Sequence, residues 1–296
     1  DNPYSRGEQW LHYLALASDT RLEIAYAIEK HSYANRLPPD GGNHIFVCGL
    51  ARAGTTLLMR LLYETGEFSS LTYRDMPFVL SPNLWALLSH KNQKSGELKE
   101  RVHGDGLAVG YDSPEALEEV FWRVFCREDY IRGNHLSTMS DNDDVLAEFR
   151  TYIQLILLRY GGTRYLSKNN NNIVRIPAIL GAYPQARVLI PFRHPVDQAR
   201  SLMAQHGLFT EKQQREPFIR QYMKWLVHHV FGLDHIRFFA HRPEPSDNAG
   251  ALEYWLALWC QVYACLLERH RNDQRVRFIC YEKLCSNPQD SWSELA

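Results

Sequence analysis

The run Ile45 to Leu58, IFVCGLARAGTTLL, constrains the fold more than any other stretch of the chain. An apolar run leads straight into a glycine-bounded turn and then into an apolar helical start, which predicts a strand, a phosphate-binding loop and a helix. The loop, Gly49-Leu50-Ala51-Arg52-Ala53-Gly54-Thr55-Thr56, keeps the glycine spacing of a Walker A loop but has Thr55 where nucleotide-hydrolysing loops place lysine. Its two glycines let the backbone turn tightly, so that successive amide N–H groups and the positive end of the helix converge on an anion. Arg52 adds a charged, planar fork of donors that suits sulfate or phosphate oxygens. The hydroxyls of Thr55 and Thr56 can donate as well. The segment therefore predicts a site for a multiply charged anion in a chain that is not an ordinary ATPase or GTPase.

A second segment repeats the design. Residues Ala186 to Leu202, ARVLIPFRHPVDQARSL, predict another buried strand, then Arg193-His194-Pro195, then a helix. Pro195 suits the first helical turn and Asp197 its positive end. Arg193 leaves the strand end while Ser201, eight residues on, lies about two turns into the helix, so both can meet one phosphate.

With both segments in view, the chain resembles the sulfotransferases that use 3′-phosphoadenosine 5′-phosphosulfate (PAPS) and release 3′-phosphoadenosine 5′-phosphate (PAP). The commonest form of their 5′-phosphosulfate loop reads Pro-Arg-Ser-Gly-Thr-Thr; here Ala51 and Ala53 replace the proline and the serine. The resemblance implies that Gly49, Arg52, Ala53, Gly54, Thr55 and Thr56 hold the 5′-phosphosulfate. It also implies that Arg193 and Ser201 clasp the 3′-phosphate, and that the acceptor is a hydroxyl or amine of a small molecule, lipid or carbohydrate. Lys168-Asn169, Asn172, Arg175-Ile176 and Tyr183 to Arg187 look like the run that precedes the 3′-phosphate strand in bacterial members. Ile279 to Leu284, ICYEKL, resembles a later strand end, so the likeness spans roughly residues 40 to 290. A small-molecule or nucleotide kinase, or a non-catalytic nucleotide-binding scaffold, are the alternatives. Thr55 in the lysine position speaks against the kinase.

Sulfuryl transfer needs an aligned acceptor, cations and donors on the transferring and leaving oxygens, and a proton acceptor. Arg52 supplies the charge. For the base, Asp75 follows the second strand at the distance where related enzymes place an acid, with Arg74 beside it to keep it ionised. His103, in Arg101-Val102-His103, resembles the Lys-x-His pattern of cytosolic sulfotransferases and has a suitable ordinary pKa. Glu115 and the pair Glu118-Glu119 are further candidates for the base, though expected rather as helix cap and solvated face, and His228-His229 are expected on a helix surface or interface. Trp85, Trp122, Trp225, Trp255 and Trp259 are expected in the core rather than around an acceptor.

Alternating strands and helices with both anion loops at strand C-termini predict an α/β fold, an open and mostly parallel sheet flanked by helices. The chain is expected to form a single domain over 1–296. Residues 1–40 make an N-terminal helical segment, 44–202 a P-loop-like nucleotide-binding core, and 211–296 a largely helical C-terminal part. In detail we expect a helix over 4–36, a strand over 44–48, and a short strand near Phe68–Tyr73. Gln93–Gly106 reads as a polar loop or lid, Ser113-Pro114-Glu115 as a helix start, and Asp141–Asp144 as the cap of a helix over Val145–Tyr160. Later helices are expected at Ile173–Gly181, Pro217–Phe231 and Ala251–His270, with an exposed loop from His241 to Gly250.

A length of 296 residues, with 45% hydrophobic and 23% charged, suits an ordinary globular protein. A net charge of -1 argues against broad nucleic-acid or membrane-surface binding, so any anion site must be local. No apolar run reaches the length of a membrane span. The scattered cysteines, with Cys48 and Cys280 in expected core strands, read as reduced thiols. Together with the lack of an Asn-x-Ser/Thr site, they predict a cytoplasmic enzyme.

Overall fold

The computed structural model describes residues 4–89, 113–139, 142–239 and 248–287, together with the backbone of 99–100 and 108–109. The N-terminal segment is two helices, α1 (Arg6–Leu16) and α2 (Asp19–Tyr33), rather than the single helix expected. The break falls at Ser18, whose extended backbone and side chain cap the second helix by accepting from the N–H of Arg21. Strand β1 (Ile45–Val47) leads through the first loop into α3 (Thr55–Tyr63). After α4 (Pro82–Ser89) comes a two-residue antiparallel pair, β2 (Lys99–Glu100) with β3 (Ala108–Val109). Then follow α5 (Glu119–Tyr130), β4 (Ile131–Arg132), β5 (His135–Leu136), α6 (Asp143–Tyr160), β6 (Leu166–Lys168), α7 (Ile176–Ala182), β7 (Arg187–Phe192) and α8 (Pro195–Arg215). The C-terminal part holds α9 (Pro217–Trp225), β8 (Arg237–Phe238), α10 (Leu252–His270), β9 (Val276–Cys280) and α11 (Tyr281–Ser286).

The central sheet has the order β6-β1-β7-β9 and every neighbouring pair is parallel. Chain order reverses around β1, which lies between β6 and β7, so the crevice outside the carboxyl ends of β1 and β7 is a topological switch point. Side-chain alternation along these strands divides the core. Phe46 of β1, Cys48 just after it, and Val188 and Ile190 of β7 face the larger cluster, under α5, α6 and α7. Ile45, Val47 and Leu189 face the smaller one, closed by Leu58, Met59 and Leu62 of α3. The larger cluster is rich in aromatics: Phe121 stacks on Tyr152 with centroids 5.1 Å apart, and Trp122 lies 4.3 Å from Phe149. Each such buried ring stabilises by roughly 1.5–3 kcal/mol relative to exposure.

Several expected elements are shifted. Phe68–Tyr73 makes no strand; Ser69 bridges Tyr165 and Thr72 bridges Pro114 as isolated pairs. Because Pro114 serves that bridge, it does not open a helix, and α5 starts at Glu119. The cap of α6 falls within the expected run 141–144, at Asn142, which accepts from the N–H of Val145, and the helix begins at Asp143 rather than Val145. Helix α9 stops at Trp225, so residues 226–231 form a turn instead of continuing the helix. Cys48 is buried just after β1, whereas Cys280 ends β9 partly exposed. The expected loop at Gln93–Gly106, with His103, lies outside the described residues except for two strand residues, and 241–247 lie outside them entirely. Among the described residues no helix is long and apolar enough to cross a membrane.

Candidate active site

The loop after β1 needs glycine at both ends. At Gly49, φ is +152° and a Cβ would meet the carbonyl oxygen of Pro191 at 3.0 Å. At Gly54, φ is +86° and a Cβ would drive into the ring of Tyr281 at 2.5 and 2.9 Å. Arg52 also adopts the left-handed region, at φ 66°, which costs a non-glycine residue roughly 1–2 kcal/mol. That turn throws its side chain across the crevice, where Nε donates to Ser201 Oγ at 3.0 Å. The two segments singled out by sequence therefore meet through side chains 149 residues apart.

The loop after β7 is fixed by a residue the sequence reading passed over. Gln198, one turn into α8 and fully buried, donates to the carbonyls of Ala51 at 3.0 Å and Leu50 at 3.4 Å. Its Oε1 accepts from the backbone N–H of Arg193 at 3.3 Å and from Trp259 Nε1 at 2.9 Å. One amide thus joins both loops and a helix of the C-terminal part. Tyr281 and Glu282 support the same edge: the Arg193 guanidinium lies 5.3 Å from the Tyr281 ring centre, and the N–H of His194 donates to Glu282 Oε1 at 3.0 Å. Arg193 Nε is buried, makes no hydrogen bond among the described residues, and lies 4.0 Å from Glu282.

Facing these loops, the cleft that holds Arg52, Thr55 and Thr56 is walled by Glu115, Glu119, Lys168, Asn169 and His228. The expectation that Glu118 and Glu119 form a solvated face is corrected here, since both are only 2% exposed. Glu119 takes a bidentate ion pair from Arg175, at 2.6 and 2.8 Å, and a hydrogen bond from Asn169 at 2.6 Å. Burial opposes its charge, but the adjacent Arg175 guanidinium holds its carboxyl below the ordinary value. Glu118 accepts from Trp122 Nε1, Tyr165 Oη and Asn172 Nδ2 at 2.9 to 3.0 Å. A signal for this network existed: Arg175 sits inside the apolar run Ile173-Val174-Arg175-Ile176, and a cation forced inside must find a carboxylate.

Asp75 is not brought to the cleft. It ends a 3-10 turn over Tyr73–Asp75 and is 1% exposed, with Oδ2 accepting from the N–H of Thr72 at 2.8 Å and from Tyr160 Oη at 2.6 Å. Burial pushes its carboxyl up despite those bonds and despite Arg159 and Arg74 nearby, the opposite of what its neighbour Arg74 alone suggests. Glu115 does line the cleft; it accepts from Tyr73 Oη at 2.6 Å and from the N–H of Ala116 at 2.8 Å. His228, expected on a helix surface, is instead on the cleft wall, because α9 ends before it.

The sulfotransferase family model matches residues 44–254, a span that takes in both loops and the wall opposite them. No curated protein sequence matches the chain. Among solved structures, the fold is similar to that of sulfotransferase STF1 from Mycobacterium tuberculosis H37Rv, with a TM-score of 0.54 and 15% identity over 98% of this chain and 80% of that one. It is also similar to sulfotransferase STF9 from Mycobacterium avium, with a TM-score of 0.52 and 16% identity over 99% of this chain and 73% of that one. At such identities these likenesses concern the fold. The family match covers most of the chain and includes the loops after β1 and β7, and the chain belongs to the sulfotransferase family.

Proposed function

We propose that the chain transfers a sulfuryl group from PAPS to a hydroxyl or amine of a small-molecule, lipid or carbohydrate acceptor and releases PAP. The observation that carries this reading is the contact between Arg52 and Ser201, which makes one crevice of the two anion-binding loops. A donor with phosphates at both its 5′ and 3′ ends needs such a pair of loops. The residues present fit it. Arg193 has a buried Nε with no hydrogen bond, a donor that a 3′-phosphate oxygen satisfies, and Gly54 lets Tyr281 close against the 5′ loop.

In this reading the donor supplies an activated sulfuryl group with a phosphate as leaving group. The amides of Gly49 to Thr56 and the start of α3 stabilise charge on the leaving and transferring oxygens, Arg52 adds a full positive charge, and Thr55 and Thr56 add hydroxyl donors. Arg193 and Ser201 set the nucleotide's position from its other end. Asp75, enclosed under Tyr160, shapes the turn that carries Tyr73 to Glu115. Thr55, in the position of a Walker lysine, leaves the kinase alternative without its phosphate-bridging cation. The six free cysteines accord with a cytoplasmic site of action.

Incubation of the purified chain with sulfur-labelled PAPS and a panel of phenols, alcohols, sugars, lipids and amines tests the reading. Label transfer to at least one acceptor class, with equimolar PAP, is the expected result. PAP bound tightly with no transfer to any class would instead support a nucleotide-binding scaffold.

A further inference from the structure

The wall facing the Arg52 loop carries an imidazole that nothing described so far employs. His228 is partly buried in the same cleft as Arg52, Thr55 and Thr56, and its ring makes no hydrogen bond among the described residues. The backbone works to place it there. Val227, a β-branched residue, is held in the left-handed region at φ 53°, a conformation such residues rarely adopt. The strained turn is pinned on every side. The N–H of Val227 donates to Lys224 O at 3.1 Å and that of His228 to Met223 O at 2.9 Å, while Val227 O accepts from His229 N–H at 3.0 Å and Asn171 Nδ2 at 3.4 Å. Strain retained at a cleft wall points to a use for the side chain it aims.

We propose that His228 is the proton acceptor of the sulfuryl transfer. Its unprotonated ring nitrogen takes the proton of the acceptor hydroxyl as that oxygen forms its bond to sulfur, and the electron pair of the broken S–O bond leaves on the nucleotide 5′-phosphate. The imidazolium then releases its proton to solvent. This inference rests on the sulfuryl-transfer reading above. The charged and titratable groups facing the ring are Lys168 at the end of β6, Glu115 and Glu119 on the α5 side, His229 in its own turn, and Arg52 across the cleft. Burial, and after it Lys168, push the His228 imidazole down to about 4, so the ring is neutral and able to accept at neutral pH. Negative charge from a nucleotide on the Arg52 loop opposes that shift and raises the pKa toward the working range.

The test follows the His228 ring by NMR across pH, assigned with His228→Gln, in the free chain and in the chain saturated with PAP. The expected result is a pKa below 5 in the free chain and a rise of at least one unit with PAP. In the free chain, Lys168→Met should also raise it. His228→Gln should bind PAP within about threefold of the native chain and lose 10²–10⁴-fold in kcat, the usual contribution of a positioned base. It should also lose the acidic limb of the kcat profile. A kcat within threefold of native, an imidazole that does not respond to bound PAP, or loss of the acidic limb in His103→Ala instead would overturn the assignment. If the native chain neither binds PAP nor turns over PAPS, the sulfuryl reading itself fails and this inference with it. Native turnover that survives in His228→Gln removes the inference alone.

Discussion

The two walls of the cleft handle charge in opposite ways. On the side of β1 and β7, Arg193 carries a buried Nε that makes no hydrogen bond among the described residues and lies 4.0 Å from Glu282, and the loop after β1 ends at the start of a helix. On the α5 side, Glu119 and Arg175 are sealed against each other at 2.6 Å, with further bonds to Asn169, Asn172 and Tyr130, and the guanidinium nitrogen left over, Arg175 Nε, is enclosed with them because Arg175 is fully buried. The difference is access: the Arg193 side chain is 32% exposed and a ligand can reach it, whereas the fully buried ion pair of Arg175 holds its shape and admits none. In the proposed function the same residue types thus serve binding on one wall and rigidity on the other.

If that contrast is right, breaking the closed wall damages the fold and breaking the open wall damages only binding. Arg175→Met strands Glu119 as a buried, unpaired carboxylate and should lower the urea unfolding free energy by about 3–5 kcal/mol. Replacing Glu119 with leucine in the same chain should recover part of that loss, and a near-neutral Arg175→Met would erase the distinction. Arg193→Ala should instead weaken PAP binding by roughly 2–4 kcal/mol in calorimetry and leave the unfolding midpoint almost unmoved. Adenosine 5′-phosphosulfate, which has no 3′-phosphate, should lose far less, and equal losses for the two ligands would count against the 3′-phosphate assignment.

Gln198 belongs to both categories, because it is buried like the closed wall yet joins the two binding loops. Gln198→Leu should cost about 1–3 kcal/mol in stability through the partners it leaves unsatisfied, and should weaken PAP as well. A variant that lost stability with native affinity would show the loops to be independent. The smallest effect is expected at Asp75. Asp75→Asn keeps an acceptor for Thr72 and Tyr160, so unfolding should shift by about 1 kcal/mol and turnover by less than tenfold. A turnover loss of a hundredfold or more would make Asp75 the proton acceptor after all.

The open wall was legible in the sequence because its chemistry is local. Gly49, Arg52, Gly54 and Thr55 lie within one loop, and Arg193 and Ser201 within one strand-to-helix passage, so spacing alone is enough to propose an anion site. The contact of Arg52 with Ser201 follows once β1 and β7 are neighbours. The closed wall was not legible, because its pairs join residues such as Glu119 and Arg175 across 56 positions, and charge in sequence reads as solvated face until topology pairs it. His228 was hidden for a different reason. Residues 217–231 read as one helix, whereas a long-range bond from Asn171 and local bonds to the last carbonyls of α9 accompany the left-handed turn at Val227 that sets His228 on the cleft wall. The start of α5 was misread because Ser113-Pro114-Glu115 has good capping chemistry that a bridge to Thr72 overrides.

The central claim is that the loops after β1 and β7 form one site for a nucleotide phosphorylated at both ends. Calorimetric titration of the native chain with PAP, set beside ATP plus magnesium, tests it most directly. The account predicts one PAP per chain, bound at least tenfold tighter than ATP. Equal or tighter binding of ATP with magnesium, or no heat with PAP, would contradict it.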